Sequence, residues 1–153
     1  MSESTSIIEL HQQQDYRFEV RYDKASIPVL VTDEGAPIGA DAGPSPTQLL
    51  GTAVANCLAA SLLFALRKFK NEFSPLHASA HVHLARNPEG RLRVGQIDVE
   101  LKIPAAAAEI NMLERILAIF EDYCVVTQSV RAAIPVGVRV IDAGGAVLRV
   151  TAP

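Results

Sequence analysis

The chain has no tryptophan, two cysteines and only 5% aromatic residues. Its 14 Lys and Arg are balanced by 17 Asp and Glu, for a net charge of -3, and the basic residues form no cluster. With neither a basic patch nor an aromatic row for stacking bases, nucleic acid is not an expected partner. There is no CxxC, and two cysteines 67 positions apart make no zinc motif. Dinucleotide-binding GxGxxG, the P-loop pattern and a nucleophile-elbow GxSxG are all absent. The opening MSESTSIIELHQQQD lacks a basic n-region and an apolar h-region, so it does not read as a signal peptide. A cytoplasmic location is the expectation, and there both thiols stay reduced. They are then packing residues, metal ligands or redox groups.

What is present is a globular composition, 49% hydrophobic over 153 residues, which predicts one domain spanning 1–153 with a polar N-terminal tail over 1–15. YRFEVRYD alternates, with Tyr16, Phe18, Val20 and Tyr22 on one face and charges on the other, as a half-buried strand does. IPVLVT is a second strand. DEGAPIGADAGPSP, rich in Gly, Pro and Asp, is an irregular loop of functional length. Ser45, Pro46 and Gln48 then form a helix start with a capping box, and the helix runs to about Lys70. Its segment 49–66 carries no charge over 18 residues, the lower limit for a membrane span. Gly51, Thr52, Asn56, Ser61 and five alanines keep it only modestly apolar, so it reads as a core helix and no membrane is expected. Gly51, Ala55 and Ala59 make a flat face for close packing.

Downstream, LHASAHVHLAR and RLRVGQIDVELKI are strands around an NPEG turn. The alternation slips at Gly95-Gln96, which predicts a β-bulge. AAAAEINMLERILAIFEDY is helical, with Ile110, Leu113, Ile116, Leu117 and Phe120 as its stripe. A short helical piece follows Cys124 and stops at Pro135, and VGVRVID and AVLRV close the chain as a strand pair. This order predicts an α+β fold with mainly antiparallel sheets around a long central helix. A nonpolar helix with a small-residue face also suits the centre of an intertwined dimer.

A free cysteine usually packs as a small hydrophobe. Cys57 lies about three turns into its helix, beyond the reach of the N-terminal dipole, so lowering its pKa needs a cation from elsewhere. Cys124 lies near the start of a short helix, where backbone N–H groups favour a thiolate. Two thiols from different helices meeting in one apolar pocket would make a peroxidatic and resolving pair.

GPSPTQLLGTAVANCLAASL resembles the first cysteine segment of the OsmC/Ohr family of hydroperoxide-reducing proteins, and EDYCVVTQSVRAAI resembles its second. The element order matches from about Tyr16 onward. The resemblance implies an intertwined homodimer, with Cys57 as peroxidatic thiol and Cys124 as resolving thiol. It implies a substrate pocket from Leu58, Phe64, Ile116 and Phe120 that prefers bulky organic hydroperoxides. The partner would be a dithiol reductant, often a lipoylated protein in that family, and no cofactor is implied. The alternative reading is a non-catalytic OsmC-like dimer that binds a small apolar ligand or senses oxidants.

The chain departs from the family around its first motif, and the loop before it, GAPIGADAGPS, contains no arginine. Members carry a Glu soon after the Pro of the first motif, paired with an activating Arg, and here Pro46-Thr47-Gln48 holds no carboxylate. Arg17 is the best substitute cation, with Arg21 as alternative, and Asp33, Glu34 and Asp41 are the acidic residues available to replace the Glu. His77, His81 and His83 share one strand face, but no carboxylate lies on it, so they read as exposed histidines and no metal is expected.

Overall fold

The computed structural model describes residues 3–153. It is a mixed α+β chain with two compact units, the first ending at Leu49 and the second running Leu50–Pro153.

The first unit holds a three-stranded antiparallel sheet of β1 (Ile8–Gln14), β2 (Arg17–Tyr22) and β3 (Leu30–Thr32), in that order. The expected polar tail thus contains a strand. Only Ile8 and Leu10 alternate there, and Gln12 and Gln14 continue the strand without an apolar signal. Pairing with β2 supplies what the side chains do not: Leu10 lies opposite Val20, and a tight turn at Asp15, with φ of 49°, reverses the chain. The strand read as IPVLVT shrinks to three residues, because the chain then leaves for the loop at 33–45.

Helix α1 (Pro46–Lys68) begins as the capping box requires. Gln48 Oε1 accepts from Ser45 N at 2.8 Å, and Ser45 Oγ accepts from Gln48 N at 3.4 Å. It ends two residues short of the expected Lys70, which takes φ of 60° while Asn71 N–H donates back to Leu66 O at 2.9 Å. By length and composition α1 could cross a membrane, but it is a core helix. Gly51, Val54, Ala55, Leu58, Ser61, Leu62, Ala65 and Leu66 are buried at helical spacing. The opposite stripe, Ala53, Asn56, Ala60 and Phe64, is exposed.

The second unit's sheet runs β4 (His77–Arg86), β5 (Leu92–Lys102), β6 (Val136–Ile141) and β7 (Val147–Thr151), in that order. β4 and β5 form the expected hairpin. Its register slips between His83 and Leu84, leaving Gly95 as the extra residue of a bulge. β5 and β6 pair in parallel, which needs a crossover. The segment between them supplies it, with α2 (Leu113–Ile119), a 3-10 turn at Phe120–Tyr123 and α3 (Val125–Val130). The helix expected from Pro104 is therefore broken. Asn71, buried, donates to Asn111 O at 3.0 Å and accepts from Asn111 N at 2.9 Å, and Met112 follows with φ of 57°. These bonds interrupt a sequence whose alanines alone favour helix.

The core is α1's buried stripe, the inward residues Ile97, Val99, Leu101 and Ile103 of β5, Val136, Val138 and Val140 of β6, and Ile116, Leu117 and Phe120. Leu58, Leu62 and Leu66 have 0% exposure, and each such side chain contributes roughly 1.5–3 kcal/mol by leaving water. The small-residue face has a measurable purpose at one position. A β-carbon on Gly51 would lie 2.5 Å from Val82 Cγ2 of β4. Gly51→Val is expected to overpack this contact and cost about 1–3 kcal/mol, read as a lower urea midpoint with an unchanged m-value.

Candidate functional site

Cys57 sits on α1 at the border between its buried stripe and its open stripe, and is half-buried. Cys124 comes from the far side of the crossover and has 0% exposure. Its backbone, at φ −82° and ψ 92°, makes it the N-cap of α3. The cap is a sulfur: Thr127 N–H donates to Cys124 Sγ at 3.4 Å, and the Cys124 S–H donates to Thr127 Oγ1 at 2.9 Å. The free thiols are neighbours, close enough for the Cys57 side chain to act on the ionisation of Cys124.

Burial pushes the Cys124 thiol above its ordinary pKa. The Thr127 bonds pull it down, and the neighbouring Cys57 pushes it further up. The short helix does not deliver the thiolate expected at its start; desolvation prevails, and Cys124 is a thiol at neutral pH. Thr127 was not signalled by composition, although a hydroxyl three residues after a cap is the usual partner of a capping side chain.

Of the four residues expected to wall a pocket, Leu58, Ile116 and Phe120 have 0% exposure and belong to the core. Apolar residues at helical spacing mark the face that packs, and here that face packs inward. Phe64 is 56% exposed. It lies on the Cys57 side of α1 and meets Tyr123 edge-on, with ring centroids 5.2 Å apart. Lys68 Nζ donates to Tyr123 Oη at 3.0 Å. Tyr123, adjacent in sequence to Cys124, is thus held against α1.

The first unit holds the other candidates. Asp33 is buried, and its carboxylate accepts from Glu34 N at 2.9 Å, Ala40 N at 3.1 Å and Ala42 N at 3.2 Å. Arg17 Nε lies 3.8 Å from Asp33 Oδ2. A pocket of about 150 Å³ is bounded by both residues and by Pro37, Ile38, Gly39 and Ala40. A β-carbon on Gly39 would meet Asp33 Oδ1 at 2.7 Å, so only glycine lets the loop wrap this closely. The carboxylate beside Arg17 therefore comes from the loop. Arg21 is paired instead with Glu19 on the same strand at 2.9 Å, at the surface. Glu34 and Asp41 do not pair with an arginine among the described contacts, and Asp41 accepts from Ala36 N.

His83 Nε2 meets Asp98 Oδ2 at 2.8 Å, and Gln96 donates to the same carboxylate. The carboxylate missing from the histidine strand thus arrives from the neighbouring strand. Among the described residues no group of three or more His, Cys, Asp or Glu is placed to hold a metal ion.

A long apolar helix over a mixed sheet, with one thiol on the helix and a second capping the crossover, defines an α+β protein with a two-cysteine centre. The OsmC-like protein family model matches residues 39–139, and the chain belongs to that family. No curated protein matches it. Among solved structures it is similar to an OsmC-like protein of unknown function from Vibrio cholerae, with a TM-score of 0.73 and 16% identity over 92% of this chain and 100% of that one. An organic hydroperoxide resistance protein OsmC from Legionella pneumophila gives 0.67 and 17% over 92% and 98%. The organic hydroperoxide resistance protein OhrB of Bacillus subtilis gives 0.65 and 14% over 90% and 98%. At these identities the likeness is one of fold.

Burial alone would raise the pKa of Asp33, but the N–H groups of Ala42, Ala40 and Glu34, with Arg17, hold it below the ordinary carboxylate value. A depressed folded-state pKa stabilises the protein above the unfolded value of about 3.9 and is lost as pH falls through the folded one. Thermal melts of Asp33→Asn should therefore lie below wild type at pH 7 and converge on it below about pH 4.

Proposed function

We propose that this chain reduces organic hydroperoxides, with Cys57 attacking and Cys124 resolving. The observation that carries the reading is that the two thiols, drawn from α1 and from the cap of α3, are already neighbours in the reduced chain. The Cys57 thiolate attacks the O–O bond, and the alkoxide leaves and takes a proton as the alcohol. Cys57 becomes a sulfenic acid. Cys124 then attacks that sulfur, its proton leaves with the hydroxide as water, and a disulfide forms. Cys124 gives up its thiol proton as it attacks, and that proton completes the departing water. An external dithiol returns both cysteines to the reduced state.

The apolar surface of Phe64 and Tyr123 beside the Cys57 side of α1 favours bulky hydroperoxides over hydrogen peroxide. Arg17 takes the role of the cation that favours the thiolate, with Asp33 in place of the family's Glu. This assignment rests on the resemblance of the first cysteine segment together with the Arg17 and Asp33 pair.

The working species is a homodimer. One side of α1 leaves Ala53, Ala60 and Phe64 uncovered, and Ile8 and Leu10 of β1 are exposed at 54% and 57%. A second copy is the simplest cover for apolar surface this extensive. Sedimentation equilibrium should return twice the 16.4 kDa chain mass; a monomer at micromolar concentration rejects the dimer.

With cumene hydroperoxide and a dithiol, Cys57→Ser should abolish consumption. Cys124→Ser should complete one turnover and stop, with Cys57 trapped as sulfenic or sulfinic acid by mass spectrometry. Arg17→Ala should slow sulfenic acid formation on Cys57 while leaving the later disulfide closure at the wild-type rate. Wild type that consumes no organic hydroperoxide with any dithiol rejects the enzyme reading and leaves ligand binding or oxidant sensing.

A further inference from the structure

The Cys124 segment is held by a residue that the two-thiol scheme does not use. Glu121, in the 3-10 turn before Cys124, is only 8% exposed. Its carboxylate accepts from Arg131 Nη2 at 2.7 Å and from Thr151 Oγ1 at 2.5 Å, and Arg149 Nε lies 3.9 Å away. Its backbone carbonyl accepts from Cys124 N at 3.1 Å and from Gln128 Nε2 at 3.1 Å.

These bonds fall at the two ends of one element. Cys124 is the N-cap of α3 and Arg131 is its C-cap. The Glu121 carbonyl takes the start of the helix, and the Glu121 carboxylate takes its end. Thr151 and Arg149 fasten the same carboxylate to β7. A helix of six residues cannot hold its own shape in water, so the direction of the Cys124 sulfur depends on what clasps the helix. A buried carboxylate with an arginine on it is a costly way to fasten a helix that apolar packing could hold.

We infer that Glu121 is a positioning residue for the resolving step: through Arg131 and Thr151 it holds Cys124 in reach of Cys57, so that the disulfide closes as soon as the sulfenic acid forms. This rests on the peroxidase reading above. The step itself is unchanged. Cys124 sulfur bonds to Cys57 sulfur, the sulfenic S–O bond breaks, and water leaves with the thiol proton.

The test follows Cys57 in the reduced full chain by rapid quench with cumene hydroperoxide, counting sulfenic acid, disulfide and sulfinic acid by mass. In Glu121→Gln the sulfenic acid should form within about twofold of the wild-type rate. The disulfide should then close at least about tenfold more slowly, since a misplacement near 1 Å costs up to about a hundredfold. Sulfinic acid should accumulate on Cys57. Arg131→Met, which leaves the Thr151 bond in place, should act in the same direction, and the double variant should be less than additive. Should Glu121→Gln fail to fold, Arg131→Met decides alone. Disulfide closure at the wild-type rate in a folded variant overturns the proposal, as does equal slowing of both steps, the mark of general loosening. Wild type that never forms a Cys57 sulfenic acid removes the peroxidase reading, and the positioning role falls with it.

Discussion

Helix α1 has more apolar surface than one chain covers, and the line where its buried stripe ends governs the rest of the site. Burial of Val54, Leu58, Leu62 and Leu66 against the sheet sets the rotation of the helix about its axis. That rotation leaves Cys57 neither sealed nor free. One residue along in either direction, Leu58 is fully buried and Asn56 is exposed. The close approach at Gly51 to Val82 fixes the same rotation from the N-terminal end. A thiol at such a border can meet a buried partner on one side and solvent on the other.

The charged groups follow a common pattern. Asp33, Glu121 and Asp142 are all buried carboxylates, and each is surrounded by donors. Asp142 accepts from Gly144 N, Ala146 N and Ala107 N, tying the β6 to β7 turn to the segment after β5. The Ala146 N–H does most to hold its pKa low, against the opposing effect of burial. A carboxylate in such a place is held by its hydrogen bonds rather than by the ion pair alone. Irregular segments of this chain are thereby as well specified as its helices.

Much of the architecture was legible because it is written in periodicity. The capping box at Ser45, the slip at Gly95 and the closing strand pair each have a local physical cause, and each is found where that cause lies. What escaped depends on partners distant in sequence. β1 is a strand because β2 lies beside it, not because IELHQQQ alternates well. The break at Met112 comes from Asn71, 41 positions earlier. The resemblance grouped Leu58, Ile116 and Phe120 as the wall of a pocket, a reading that could not tell lining a space from filling it; they fill it. The cysteines stood out as residue types, while Thr127, Tyr123 and Glu121, which hold one of them in place, are ordinary in sequence and unusual only in three dimensions.

A sulfur cap on a helix is sensitive to oxidation state. While reduced, Cys124 both gives a hydrogen to the Thr127 hydroxyl and takes one from the Thr127 amide. Once that sulfur is bonded to another, it has no hydrogen to give and is a weaker acceptor. The first turn of α3 then relies on a diminished cap, and the chain beyond it becomes easier to fray. The cross-link proposed above would thus loosen the wall behind which it lies, and the same bond would open the approach for a reducing agent.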